Sequence, residues 1–358
     1  MKLIFVTRKV DRGDAITGFV FGWINALAAK VEKLYVICQE KGDTSGLPRN
    51  VEVYSFGKEL GYGRIRQGLK LWNLVFGICK NSEGVFAHMH PIYAIIAGLA
   101  ARLRGKRVIL WYTHKAVDWK LRIAHALVNE VLTASAESFR LPSKKVKVVG
   151  HGIDLEKFHP LPSLPPRGGG KVGGKFRIAS IGRISPVKDY ETLIKAADIL
   201  QESGIKDFVI EIYGRIGLSE HQGYYDSLVE FVNNANLDEI VKFQGELDYG
   251  YVDEIYNEAD LFVNLSQTGS IDKAVLEAAA CETLVLTSNE AFEKILNEIS
   301  PLLFFRRDHP EDLAAKIEGI KSLSGEVRVK IGRQLRKMVE QNHNLNNLAA
   351  KIVEEFKS

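Results

Sequence analysis

The chain of 358 residues has only three cysteines, Cys38, Cys79 and Cys281, set far apart among apolar neighbours. An odd, scattered set excludes a disulfide framework and lacks zinc-ligand spacing, so a reducing cytoplasm is the expected compartment. Long apolar runs are missing as well. The first, in MKLIFVTRKV, breaks at Arg8 and Lys9, too short for a signal peptide, and no later run reaches membrane-spanning length. There is no Asp-x-Asp motif, and the loop Arg8 to Thr17 that follows the first strand lacks a full G-x-G-x-x-G. The basic residues have no interleaved aromatic platforms, which argues against a nucleic-acid binder. With 46% apolar and 26% charged residues, a disordered or collagen-like chain is also excluded.

What is present is alternation of apolar strand-like runs with helical periodicity, over a length that suggests two domains. Leu3 to Thr7, Leu34 to Cys38, Val51 to Phe56, Gly84 to His90, Arg107 to Thr113, Val131 to Ser135 and Val146 to Val149 read as strands. Among the helices between them, Arg64 to Lys80 carries a stripe of Ile65, Leu69, Trp72, Phe76 and Cys79. Leu71, Leu74, Val75 and Ile78 widen it, and such breadth predicts a core helix rather than a membrane-surface one. The prolines from Pro160 to Pro166 and the five glycines between Arg167 and Lys175 then mark a linker. Beyond it, Arg177 to Ile181, Phe208 to Tyr213, Val241 to Gln244, Leu261 to Leu265 and Thr283 to Thr287 make a second strand series. The expected architecture is α/β, two doubly wound Rossmann-like domains facing across a cleft, with boundaries 1–158, linker 159–175 and 176–341. A helix at about 342–358 is expected to pack back on the first domain. Charge divides along the same line. Residues 1–160 hold 25 Lys and Arg against 13 acids, and 161–358 hold 23 against 31, so a net +4 conceals +12 and −8. Something anionic approaching the first half is the expectation.

The stretch with most chemistry is Gly182 to Leu193, GRISPVKDYETL, a basic loop between a buried strand and an amphipathic helix. Asp189 is the expected N-cap, which leaves Arg183 and Lys188 over the carboxyl end of the strand, where an open parallel sheet binds ligands. A planar Arg fork and a Lys point charge suit a diphosphate, and a solvated basic loop fits the same spacing. In the loop Arg8 to Thr17, Gly13 and Gly18 precede a helix whose N-terminus faces either an anion or a plain tight turn. His88 and His90 have no third metal ligand in view and read as structural. His114 ends the VILWYT strand on the carboxyl edge and reads as a site residue or a core histidine. Glu277 lies in a helix apolar on nearly every side, from Lys273 to Cys281, so its charge requires a basic group or a ligand; sugar hydroxyls are the favoured partners. Thr268, Gly269 and Ser270 place small residues at that helix start.

Together GRISPVK, VVGHGIDLEKFHP and ADLFVNLSQTGSIDKAVLEAAAC resemble the retaining glycosyltransferases of the GT-B fold, in particular glycosyltransferase family 4, over almost the whole chain. That resemblance implies a donor-diphosphate role for Arg183 and Lys188 and a ribose contact for Glu277. It also implies a place at the acceptor side of the donor sugar for His114 and a phosphate-facing turn at Gly18. The family's paired glutamates stand eight residues apart, and Gly269 stands where the first would be; Ser270, Asp272 or the amides at 269–270 are the expected stand-ins. Glu282 replaces the family's glycine in Ala-Cys-Gly-Thr. The implied reaction moves a hexosyl unit from a nucleoside diphosphate sugar to a hydroxyl acceptor, a saccharide or lipid-linked saccharide, with retention and without a metal or other cofactor. Two alternatives stand beside it: an inactive nucleotide-sugar binding protein and a sugar-nucleotide 2-epimerase. A cytoplasmic protein touching an anionic membrane peripherally is expected, with Lys144, Lys145 and Lys147 among the cations that carry the contact.

Overall fold

Strands buried on both faces need unbroken apolar runs, and Leu3 to Val6, with Phe5, is fully buried in the first of them. The computed structural model describes residues 1–14, 17–161, 174–267 and 269–357. Most of the expected linker 159–175, and Thr268, lie outside them. The first sheet contains β1 (Lys2–Val10), β2 (Lys33–Lys41), β3 (Val51–Ser55), β4 (Gly84–His88), β5 (Arg107–Trp111), β6 (Glu130–Thr133) and β7 (Val146–Val148). Their order is β3-β2-β1-β4-β5-β6-β7 and every pairing is parallel, with Val6 opposite both Ile37 and Ala87. The second sheet contains β8 (Phe176–Ile181), β9 (Phe208–Tyr213), β10 (Val241–Gly245), β11 (Leu261–Asn264) and β12 (Leu284–Thr287), in the order β10-β9-β8-β11-β12, again all parallel. In each sheet the strand order reverses beside the first strand, at β1/β4 and at β8/β11. Crevices at such switch points, outside the carboxyl ends of the strands, are where open α/β sheets take ligands.

Two units divide the chain, Met1–Asp154 with Asn342–Ser358, and Leu155–Gln341. The first holds 26 Lys and Arg against 14 acids and the second 22 against 30, so both net charges, +12 and −8, belong to folded bodies. The last helix, Leu345–Glu354, lies on helix Phe19–Ala28 and puts Leu345, Leu348, Ile352 and Val353 into one core with Trp23, Phe86 and Trp111. A backbone latch precedes it. Ile153 N–H donates to the His343 carbonyl at 2.8 Å, and Leu345 N–H donates to the Ile153 carbonyl at 2.9 Å. Gly150, at φ +83, lets the chain pass the Asn342 carbonyl where any Cβ would collide with it.

Helix Arg64–Ile78 departs from expectation in part. Only Leu71 and Val75 of it are buried, while Ile65 is 82% and Leu69 62% exposed. The helix rests on helix Pro91–Arg102 with Trp72, Leu74, Phe76 and Ile78 partly buried against the same core, so only its N-terminal part, Ile65 and Leu69, is left outside; the Arg104 guanidinium lies 3.7 Å above the Phe76 ring. A wide apolar face does not by itself say which part of it meets a neighbour. The three cysteines are buried, and none is in a disulfide. His88 is a core residue, its Nδ1 3.2 Å from the Thr7 hydroxyl and its ring against Trp23. Met89, at φ 68, breaks the strand alternation, and His90 stacks instead on Tyr93 at a helix start. Among the described residues no group of three His, Cys, Asp or Glu is arranged to hold a metal.

Candidate functional site

At the β8/β11 switch point, β8 ends at Ile181 and the chain turns through Gly182, where a Cβ would press on the Lys188 side chain at 3.1 Å. The Tyr190 hydroxyl donates to the Gly182 carbonyl at 2.9 Å and fixes the turn against the following helix, Tyr190–Glu202. Asp189 caps that helix, accepting from Thr192 N–H at 3.4 Å in a left-handed backbone conformation that Asp tolerates better than most residues. Arg183 is exposed, with no side-chain partner among the described residues. Lys188 is not free. Its Nζ lies 2.8 Å from Asp272 Oδ2, which also accepts from Asn264 Nδ2 at 3.2 Å. Asp272 Oδ1 in turn accepts from Ala274 N–H at 3.2 Å, capping helix Lys273–Ala280. Burial alone would raise the Asp272 carboxyl, but the Lys188 ammonium, the Asn264 amide and the helix N–H hold it down to about 2.

Asn264 ends β11, and its Oδ1 accepts from Ser266 N–H at 3.3 Å and from the Thr287 hydroxyl at 3.4 Å. Asn289, beyond β12, donates to the Ser270 carbonyl at 2.7 Å. The carboxyl ends of three neighbouring strands therefore share one buried polar network around Lys188. Gly269 sits at φ 62, where a residue with a Cβ costs about 1–2 kcal/mol. Of the expected stand-ins for its missing carboxylate, Ser270 has its carbonyl tied to Asn289, and Asp272 faces Lys188.

Glu277 is 5% exposed, and the chain itself supplies partners for both oxygens. Lys273 Nζ and the Tyr249 hydroxyl each approach Oε1 at 2.9 Å, and the Tyr256 hydroxyl reaches Oε2 at 3.4 Å. A basic group, the i,i+4 lysine on the same helical face, thus meets the carboxylate, one of the two kinds of partner that its burial calls for. Burial first, and then the Glu277 charge, push the Tyr256 hydroxyl well above its ordinary value, so it stays a donor. Tyr249 also lies under two cations, Lys273 at 5.0 Å and Lys157 at 5.2 Å from its ring. Sequence reasoning missed Asn264, Tyr249 and Lys273; only Lys273 had a readable signal, its spacing from Glu277.

In the first unit, His114 is exposed beyond β5, with Nδ1 accepting from Ala116 N–H at 3.2 Å, so it is not a core histidine. Gly18 has φ −54, a conformation open to any residue, and its N–H donates to the Asp14 carbonyl at 2.8 Å. That amide is committed within the loop rather than turned toward an anion. Lys145 and Lys147 are likewise engaged: Lys145 Nζ donates to the carbonyls of His125 and Val128, and Lys147 pairs with Glu130 and Glu355. Lys145 is thus held within the first unit, whereas Lys147, although paired, and Lys144 are exposed at the surface.

Two parallel α/β units define the class, the GT-B architecture. Anabaena HepE in complex with UDP and glucose superposes with a TM-score of 0.77 over 100% of both chains at 17% identity. Sucrose-phosphate synthase from Thermosynechococcus elongatus matches with a TM-score of 0.71 over 100% of this chain and 98% of that one, at 16% identity. Residues 166–338 match the family of glycosyl transferases group 1. The D-inositol 3-phosphate glycosyltransferase of Arthrobacter sp. (strain FB24) is 27% identical over 180 residues, 48% of this chain and 42% of that protein. That of Paenarthrobacter aurescens (strain TC1) is 26% identical over 207 residues, 56% and 50% of the two chains. The chain thus spans half or less of the length of these curated relatives.

Proposed function

We propose that the protein is a retaining, metal-independent glycosyltransferase of family 4 that moves a hexosyl unit from a nucleoside diphosphate sugar to a hydroxyl acceptor. The observation that carries this is the pairing of an unpartnered Arg183 with Lys188 at the β8/β11 switch point, on the domain that matches glycosyl transferases group 1. Arg183 offers a bidentate fork and Lys188 a point charge, together able to neutralise a departing diphosphate. Charge stabilisation aimed at the leaving group is the work a bound Mg²⁺ would otherwise do, and front-face displacement, with the leaving phosphate taking the acceptor proton, needs no protein nucleophile. Glu277 holds the nucleotide ribose in this reading, exchanging its Tyr249 or Tyr256 hydrogen bond for a sugar hydroxyl. His114 lies on the acceptor side of the donor sugar, and the acceptor is a lipid-linked saccharide. UDP is the first nucleotide to try, since HepE is described with UDP.

A second reading, a nucleotide-sugar binding protein without turnover, is favoured by Gly269, which offers no carboxylate to the sugar. Calorimetric titration with UDP and GDP after dialysis against EDTA tests the phosphate assignment. Charge-assisted contacts are worth about 1.5–3 kcal/mol, so Arg183→Ala is expected to lose roughly ten- to hundredfold in affinity. Equal affinity of the variant and the wild type would remove the assignment. Donor consumption that depends on added acceptor separates transfer from silent binding and from epimerisation.

A further inference from the structure

Helix Arg64–Ile78 packs on the core from Leu71 onward, while its first two turns line a cavity of about 660 Å³ at the carboxyl edge of the first sheet. The cavity floor is polar. The Tyr93 hydroxyl donates to Gln39 Oε1 at 3.0 Å, and Gln39 Nε2 donates to Gln67 Oε1 at 2.9 Å. The rim mixes Ile65 and Ile92 with Arg64 and Lys120. Just outside it stand Leu69, Trp119 and Ile123, exposed by 62%, 63% and 42%.

Large apolar side chains left in water beside cations mark a surface that is covered when the protein works. On this face Arg64, Arg66, Lys115, Lys120 and Arg122 are exposed, against Glu59 and Asp118, and Asp118 is occupied in capping helix Trp119–Leu127 through Leu121 N–H at 2.8 Å. The apolar groups come from three different elements and are separated by cations, which suits a fluid surface better than a shaped protein partner. Trp119 has the amphipathic ring that settles at a headgroup boundary, and the Arg and Lys stems can lie along apolar surface with their heads at phosphates.

We propose that this face, built from helix Arg64–Ile78, the start of helix Pro91–Arg102 and helix Trp119–Leu127, docks on an anionic lipid bilayer, with the cavity opening onto the headgroup layer. That the cavity receives a lipid-linked saccharide rests on the transfer reaction proposed above; attachment to the bilayer does not.

The test is co-sedimentation of the full chain with sucrose-loaded vesicles, either neutral phosphatidylcholine or phosphatidylcholine mixed with phosphatidylglycerol. Wild type sediments with the anionic vesicles alone and is released at high salt, since each cation at such a surface strengthens partitioning by about fivefold. Ile65→Glu/Leu69→Glu lowers partitioning by about tenfold or more, and Lys30→Glu, at the opposite, amino edge of the first sheet, leaves it nearly unchanged. Brominated acyl chains quench tryptophan fluorescence in wild type, and Trp119→Phe removes most of that quenching. UDP or GDP titration of each variant reports on the second unit, so loss of nucleotide binding in wild type would sink the transfer reading and leave the docking result standing. Wild type that ignores anionic vesicles at low salt overturns the proposal. So does an Ile65→Glu/Leu69→Glu variant that binds vesicles like wild type, or one whose only defect by analytical ultracentrifugation is loss of a dimer.

Discussion

Lys188 and Asp272 form an ion pair where a diphosphate would have to bind, so the carboxylate competes with any anion for the same ammonium. Replacing Asp272 with Asn keeps a helix cap and a hydrogen-bond acceptor but removes the charge. Asp272→Asn is therefore expected to bind free nucleoside diphosphate about tenfold more tightly than wild type, the scale of one charge-assisted contact. Isothermal titration reads this directly, and an unchanged or weaker affinity means the pair opens without cost or positions Lys188 for the phosphate. Glu282 is a different case. It stands at φ 61 immediately after the C-cap Cys281 of helix Lys273–Ala280, where a left-handed turn ends the helix and glycine is the ordinary occupant. The family's glycine at that place has a backbone reason, whereas nothing in the structure explains the choice of glutamate.

At the scale of elements, the latch between Gly150–Ile153 and His343–Leu345 depends on a neutral histidine. His343 is buried, and its Nδ1 accepts from His151 N–H at 2.9 Å. Burial, with help from Lys351, lowers its pKa to about 4. An unfolded chain takes up this proton near pH 6.5, so the stabilisation is complete above pH 6.5 and drains away as the pH falls toward 4. The full swing is about 3 kcal/mol. Denaturant melts from pH 7 to pH 4.5 should show the first unit weakening over that window, and His343→Gln should flatten the slope. Parallel pH profiles for the two proteins would show that other groups drive the acid loss. The expected and observed strands agree closely because continuous apolar runs between loop residues mark buried parallel strands wherever they occur. Helix Arg64–Ile78 packs on the core as its broad apolar face predicts except at its first two turns: periodicity reports the width of an apolar face, and the neighbouring elements do not reach Ile65 and Leu69.

For the whole molecule, the excursion of the C-terminal segment back to the first unit predicts a selective dependence. Ending the chain at Gln341 removes Leu345, Leu348, Ile352, Val353 and Phe356 from the core that contains Trp23 and Trp111. Each buried side chain of this kind is worth about 1.5–3 kcal/mol, so the five together are comparable with the whole stability of an ordinary domain. Calorimetry of the truncated chain should show the first unit's transition lost, while Leu155–Gln341 keeps its own transition and its nucleotide affinity. A single unfolding transition that moves as one in both proteins would count against two separately stable units.

Sequence alone determined the two α/β units, the places of their strands and the loop that carries Arg183 and Lys188, because these follow from local patterns: apolar runs, Gly and Pro punctuation, and a capping Asp. It also determined that Glu277 needed a partner, since burial of a charge on an apolar helix is a local inference. Tertiary structure decided which partner. Lys188 meets Asp272 across 84 residues, Tyr249 reaches Glu277 across 28, and Asn264 links the ends of β11 and β12, none of which any spacing rule specifies. It likewise decided which cations are structural and which face solvent. Lys145 is consumed by two carbonyls brought up by the fold, while Arg64 and Lys120 remain at the surface, and a count of charges along the chain is blind to that difference.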